Sequence, residues 1–385
     1  MYSISKVGIK KTNISIFLFQ TGLLLRFFFI VLEEKFIIVD LIFYFLFFIA
    51  FIVVNKFNKK NIIIICFLFV WSMVFPSSDK RTLFFIFVMC YFLLDRVDVK
   101  QYCVITILQF VFLCLVILFS VVSGLNRNVY YTDFDRTRSL NLGFKNPNTG
   151  SLYFYGFFLC LIILVTKTFK KKHYLFLLLL NFFLNFLISH LTNSRGAVAC
   201  SLAIIVFFIF LKPLCKSKIL IFCMKIMPLF LLVIQIFLCR YLKQYTVLDI
   251  FLTGRLSLYN DLISKSTPID YIFGNANIIT QNKITVDNAY FRLLYSGGIP
   301  CFILFQVLYA RAVDFYVINR RYFELSIILG FIVYGIIESV FTNVIVFTII
   351  VFWVLIFYPQ KFYISENKIP NFFGRKYLRL TPCVR

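Results

Sequence analysis

The stretch Cys103-Val-Ile-Thr-Ile-Leu-Gln-Phe-Val-Phe-Leu-Cys-Leu-Val-Ile-Leu-Phe-Ser-Val-Val-Ser123 carries no charge, and its only polar side chains are Thr106, Gln109, Ser120 and Ser123. At 1.5 Å per residue, a helix of this length covers about 30 Å, the thickness of a bilayer's hydrocarbon core. Backbone groups in lipid find no water, so such a run must be a helix or a strand of a closed barrel. Barrel strands alternate apolar and polar residues. The run Phe84-Phe-Ile-Phe-Val-Met-Cys-Tyr-Phe-Leu-Leu94 does not alternate, which leaves helices.

Similar runs recur on both sides. Helices are predicted at 14–32, 36–54, 61–75, 82–94, 103–123, 149–166, 174–189, 197–211, 219–238, 289–310, 324–340 and 342–358. Over 385 residues the chain is 61% hydrophobic, 20% aromatic and only 15% charged, with a mean hydropathy of +0.91. The expected fold class is all-α: one polytopic membrane domain over residues 1–385 with about 12 spans. The first run follows Lys6, Lys10 and Lys11 but has no small-x-small site before Glu33, so it reads as an uncleaved first helix.

The formal charge of +24 raises the question of nucleic acid. The cations, however, lie in short clusters between apolar runs, where they meet anionic lipid and set orientation, so no nucleic-acid partner is expected. With the N-terminus inside, 24 of the Lys and Arg residues fall on the inner side and 14 on the outer, which holds both long loops. Both termini are then cytoplasmic, including a basic tail over 359–385. Most of the 11 cysteines lie in apolar runs as small hydrophobes, with no CxxC and no metal spacing. No nucleotide-binding loop is present either.

This orientation places two long segments outside, at 123–148 and 239–288. Long loops on an otherwise minimal bundle are where function concentrates. In the larger one, Leu252-Thr-Gly-Arg-Leu-Ser-Leu-Tyr-Asn-Asp-Leu-Ile263 has helical spacing, with Leu256, Tyr259, Leu262 and Ile263 on one side. Arg255 stands at its start, where free N–H groups and a planar guanidinium both suit a phosphate; a solvated arginine is the plainer alternative. Asp287, just before the run at 289–310, reads either as a helix cap or as a general base.

The smaller loop carries Arg136 and Arg138, cations on the side that ordinarily lacks them, beside an Asp133-Phe-Asp135 that pairs with them more readily than with a metal. Asn148 ends this loop and caps the next helix. Between the seventh and eighth runs, His190-Leu-Thr-Asn-Ser-Arg-Gly196 is a tight turn that keeps Arg195 at the membrane boundary. Glu338, near the outer end of the eleventh run, is a cavity residue with no assigned partner.

Four segments together resemble the Wzy-type polysaccharide polymerases and the related O-antigen ligases. They are Gly143-Phe-Lys-Asn-Pro-Asn148, Thr192-Asn-Ser-Arg-Gly196, Thr253-Gly-Arg255 with Pro268 and Phe273-Gly274 behind it, and Asp287-Asn-Ala-Tyr290 with Gly297-Gly298. Where those families often carry His before the last Asn, this chain carries Asp287. The resemblance implies a GT-C-like membrane fold in a bacterial cytoplasmic membrane. It implies inverting glycosyl transfer without metal or other cofactor, from a polyprenyl-diphosphate-linked oligosaccharide to another repeat unit. Arg255 and Arg195 would neutralise the leaving diphosphate and Asp287 would activate the acceptor. Arg136, Arg138, Asn148, Asn288 and Tyr290 would contact substrate. Expected partners are membrane lipids and the flippase and chain-length regulator of the same pathway. A ligase-like transfer to another acceptor, or a flippase for the same lipid-linked sugar, are the alternative functions.

Overall fold

The computed structural model describes residues 14–25, 42–52, 59–88, 99–124, 130–166, 173–242, 255–281, 286–341 and 347–362, except 16, 23, 43–44, 51, 76, 78–79, 82, 85–86, 134–135 and 145–146. Its helices are α1 (Lys59–Met73), α2 (Val99–Val122), α3 (Pro147–Thr166), α4 (Tyr174–Thr192), α5 (Gly196–Leu214), α6 (Lys218–Tyr241), α7 (Arg255–Lys265), α8 (Pro268–Phe273), α9 (Asn277–Gln281), α10 (Ala289–Ile318), α11 (Tyr322–Ile337) and α12 (Ile350–Phe357). Among the described residues, six of these are long and apolar enough to cross a membrane: α2, α3, α4, α5, α6 and α10. The protein is a helical, multi-pass membrane protein. The runs predicted at 14–32, 36–54 and 82–94 fall partly outside the described residues, as does most of the tail.

The helices are turned inside out relative to a soluble bundle. On α2 the apolar Leu108, Phe112, Leu115 and Phe119 are exposed, while Thr106, Gln109 and Ser120 are buried. Lipid is as apolar as leucine, so nothing drives apolar faces together; close packing and hydrogen bonds between helices do the work. Gln20 accordingly donates to Thr106 Oγ1 at 2.8 Å, and Asn181 of α4 to Ser201 of α5 at 3.4 Å. Helices α5 and α11 approach so closely that a Cβ on Gly330 would lie 2.3 Å from Ile204 Cγ1.

Pro228 interrupts α6, and α10 repairs the damage. Proline has no N–H to give to the carbonyl four residues back and its ring spreads the ladder beside it. Tyr309 donates to the freed Met224 carbonyl at 2.7 Å. Gln306 fills the neighbouring gap, its Nε2 donating to the Lys225 carbonyl at 2.5 Å and its Oε1 accepting from Leu229 N at 3.2 Å. Lys225, which lies within an apolar run, pairs with Asp314 of α10 at 2.5 Å.

Two predicted spans differ in form. The run at 324–340 becomes the 16-residue α11. The run at 342–358 yields a single 3₁₀ turn at Phe347–Ile349 and the eight-residue α12. Helix α12 is about 12 Å long and is buried on all sides, with Trp353 and Phe352 packed on Phe305 and Phe341. Its uniform hydropathy therefore marks a core helix.

One end of the bundle carries a small second core, where α7 to α9 lie over the end of α6 and the start of α10. The predicted apolar face of α7 is the buried one: Leu256, Tyr259, Leu262 and Ile263 are all at most 7% exposed. A β-hairpin that hydropathy does not announce occupies part of the 123–148 segment. Strand β1 (Tyr130–Asp133) pairs antiparallel with β2 (Arg136–Leu140), Tyr130 facing Leu140, and β2 runs against α4.

Candidate functional site

Helix α11 ends at Ile337, and the backbone then turns extended at Glu338. Three of the four residues from Ile336 to Ser339 receive side chains from distant parts of the chain. Asn288 Nδ2 donates to the Ile336 carbonyl at 3.0 Å, Arg255 Nη1 to the Ile337 carbonyl at 3.3 Å, and Arg292 Nη1 to Ser339 Oγ at 2.9 Å. Arg255 also turns its other nitrogen, Nη2, to Asp287 Oδ2 at 2.9 Å, across 32 positions of sequence. Both partners of that ion pair are about 30% exposed, so it lies at an accessible surface and not in the core.

The second arginine arrives by α5. Thr192 ends α4, Asn193 takes the left-handed conformation (φ 54°), and Gly196 begins α5. Asparagine tolerates that conformation better than most side chains, which makes the two-helix turn this short. A Cβ on Gly196 would lie 2.6 Å from Tyr334 and 3.4 Å from Glu338 Cγ. Arg195, the residue before this contact, is exposed, and no described residue pairs with it. Arg255 and Asp287 are thus joined to each other and to the end of α11, and the turn that carries Arg195 packs against the same end through Gly196.

Glu338 sits within this group, half-buried. Its carboxylate has no hydrogen bond among the described residues. Burial, reinforced by the Asp287 carboxylate and opposed by Arg255, pushes it up to about 7. Tyr259 of α7 lies beside the pair, its hydroxyl accepting from Asn288 N at 3.2 Å, and burial raises that phenol to about 12.

Asn288, not Asp287, caps α10. Its Oδ1 accepts from Tyr290 N and Phe291 N, both at 3.0 Å, and it is 1% exposed. This frees Asp287 for the ion pair. Tyr290 is fully buried, donates to the Ile332 carbonyl and packs edge-on against Phe341. Both residues thus serve the scaffold in this structure. Asn148 lies in the first turn of α3, after Pro147 at its first position. Arg136 and Arg138 lie on β2, against the helix that leads to Arg195. Their side chains, with Thr253 and Gly254, lie outside the described residues.

The glycine pairs singled out in the sequence meet as well. Gly298 breaks α10 with φ 74° and ψ 177°, and a Cβ there would lie 2.4 Å from the Ile272 carbonyl. One on Gly274 would lie 2.5 Å from Gly298 N. Lys80, absent from the sequence reading, secures the same contact. It is fully buried, donates to the carbonyls of Val74, Phe273 (2.6 Å) and Gly274 (3.1 Å), and stands 5.4 Å from the Trp71 ring centre. Burial pushes its ammonium down to about 8, against three acceptors that favour the charged form.

Behind α7, a cavity of about 250 Å³ opens between α6, α8 and α10. Ile236, Ile263, Phe291 and Leu294 make it apolar, and Arg240 supplies one cation. An apolar recess with a single arginine in its wall can take an apolar group next to a negative charge. No protein-family model, curated protein or solved structure matches this chain.

Proposed function

We propose that the protein is a Wzy-type polymerase that joins polyprenyl-diphosphate-linked oligosaccharide repeat units into a capsular or extracellular polysaccharide. It would work on the outer face of a bacterial cytoplasmic membrane, with about 12 spans, a GT-C-like fold and both termini in the cytoplasm. The observation that carries the reading is the Arg255–Asp287 pair bound to the end of α11, with the Arg195 turn packed against that end through Gly196, since these residues come from three of the four segments on which the resemblance rests.

The chemistry asks for what this group offers. Breaking the bond between an anomeric carbon and a diphosphate leaves two phosphates' worth of charge, and fixed cations that meet it lower the barrier most. Arg255 is oriented for this by Asp287 and the Ile337 carbonyl, and exposed Arg195 adds a second cation. A carboxylate of the pair Asp287 and Glu338 takes the acceptor's proton. The apolar cavity beside Arg240 accommodates the first prenyl units of the carrier. The diphosphate already holds the driving energy, so the reaction needs no nucleotide.

The test is surface glycan size in a deletion strain of the source bacterium, complemented with wild type or Arg255→Ala at equal membrane levels. Long polymer with wild type and single repeat units with Arg255→Ala support polymerisation. If single units fail to reach the surface without the protein, it is a flippase. If preformed polymer accumulates unattached, it is a ligase.

A further inference from the structure

We infer that Glu338, and not Asp287, is the group that takes the proton from the acceptor hydroxyl, while Asp287 is a positioning residue for Arg255. The inference rests on the glycosyl-transfer reading above and deepens it.

The two carboxylates differ in what surrounds them. Asp287 Oδ2 is already occupied by Arg255 Nη2 at 2.9 Å, in the ion pair that fixes the guanidinium. Glu338 has no ion pair or hydrogen bond to its side chain among the described residues. Its place is nonetheless fixed from both sides along the chain. Arg255 grips the carbonyl of Ile337 before it, and Arg292 grips the hydroxyl of Ser339 after it. The Gly196 backbone stands against its stem, where a Cβ would come within 3.4 Å of Glu338 Cγ. A carboxylate held by its backbone, with oxygens that no described residue engages, is what a base requires.

Among the described residues, the charged and titratable groups that act on Glu338 are Arg255 of α7, Asp287 before α10 and Tyr334 one turn back on its own helix, while Tyr259, Arg292 and Arg195 lie on the elements packed beside it. Burial and Asp287 raise its proton affinity and Arg255 lowers it, leaving it near 7. A base of that strength is about half ionised at neutral pH and accepts a proton readily.

The acceptor oxygen bonds to the anomeric carbon from the face opposite the diphosphate, and its proton passes to the Glu338 carboxylate. The bond from that carbon to the diphosphate oxygen breaks, and its electron pair leaves with the diphosphate, whose charge meets Arg255 and Arg195. Glu338 then releases the proton to water.

The experiment is the pH dependence of polymerisation by purified full-length protein in lipid nanodiscs, given lipid-linked repeat units isolated from a polymerase-deficient strain. Wild type, Glu338→Gln, Glu338→Asp and Asp287→Asn are compared, each checked for its melting transition. Wild-type rate should rise with pH through an inflection near 7. Glu338→Gln should lose about 10²–10⁴-fold and the inflection with it. Glu338→Asp should recover part of the rate with the inflection moved to lower pH. Asp287→Asn should be slow and keep an inflection, moved to lower pH because the charge that raises it is gone. If Glu338→Gln keeps the inflection and Asp287→Asn abolishes it, the roles are reversed and the inference fails while polymerisation stands. If folded wild type makes no polymer, the underlying reading fails and takes the inference with it.

Discussion

Gly274 and Gly298 touch backbone to backbone, so that a methyl group on Gly274 would reach to 2.5 Å from the amide nitrogen of Gly298. This contact seats α8 in the break of α10. Gly298 holds a φ of 74° with an extended ψ, a region essentially closed to other residues. Gly298→Ala therefore combines backbone strain with a clash on the Ile272 carbonyl, and should cost about 2–4 kcal/mol. Detergent-solubilised protein should melt earlier, and adding Gly274→Ala should cost less than the two single changes summed. Additive losses would mean the two glycines do not share one contact.

Glu338 should weaken the fold as pH rises. Its folded value of about 7 lies above the ordinary 4.5, so the folded state holds a proton that the unfolded state has already lost between those pH values. Stability is full below about pH 4.5 and declines as pH passes through 7. Glu338→Gln removes the ionisation. It should be more stable than wild type at pH 8 by on the order of 2–3 kcal/mol, with little difference at pH 5. Melting curves at the two pH values check this; an equal offset at both would contradict it.

Lys80→Met should loosen α8 from the bundle. The replacement keeps much of the volume but leaves the carbonyls of Val74, Phe273 and Gly274 without their donor. Each buried acceptor left unpaired costs about 1–3 kcal/mol, offset in part by the lysine's own burial penalty. Proteolysis after Lys265 should quicken in Lys80→Met while the cleavage of other segments is unchanged. Unchanged protection would show that the glycine contact suffices alone.

Gln306→Leu should expose the fault that Pro228 makes in α6. The Lys225 carbonyl and the Leu229 amide lose their partners together. A loss of about 1–3 kcal/mol is expected, and Gln306→Glu, which keeps the acceptor alone, should fall between. Equal melting of Gln306→Leu and wild type would sink the account.

What could be read from the sequence follows the range of the physics. Crossing a membrane requires an unbroken apolar run, and burying one side of α7 requires a period of 3.6; both are local, and Leu256, Tyr259 and Leu262 lie where the spacing puts them. Composition cannot tell lipid from core: the run at 342–358 is apolar enough for a span, and only the packing of α12 among Phe305 and Phe341 shows that it lies inside the bundle. The choice between Asp287 and Asn288 as cap turns on one residue of register, which only the reach of Oδ1 to the Tyr290 and Phe291 amides decides. The hairpin depends on pairing Tyr130 with Leu140 across charged residues of low strand preference. Arg195, Arg255 and Asp287 stand out by their places at a tight turn, a helix start and the edge of an apolar run, but the docking of Arg255 on the Ile337 carbonyl and of Gly196 on the end of α11 has no local signal at all.

The grip of Lys80 on the Phe273 carbonyl joins positions 193 apart, and that separation sets an order of assembly. A ribosome has made Lys80 and its helix long before Phe273 exists. Through that interval the ammonium has no carbonyl of α8 to hold and must stay hydrated at the membrane boundary. Burial follows only when the chain beyond Gly274 has been threaded and docked. Maturation of this end of the protein is thus a late event, and a nascent chain halted before Phe273 would display an unburied cation that the finished molecule conceals.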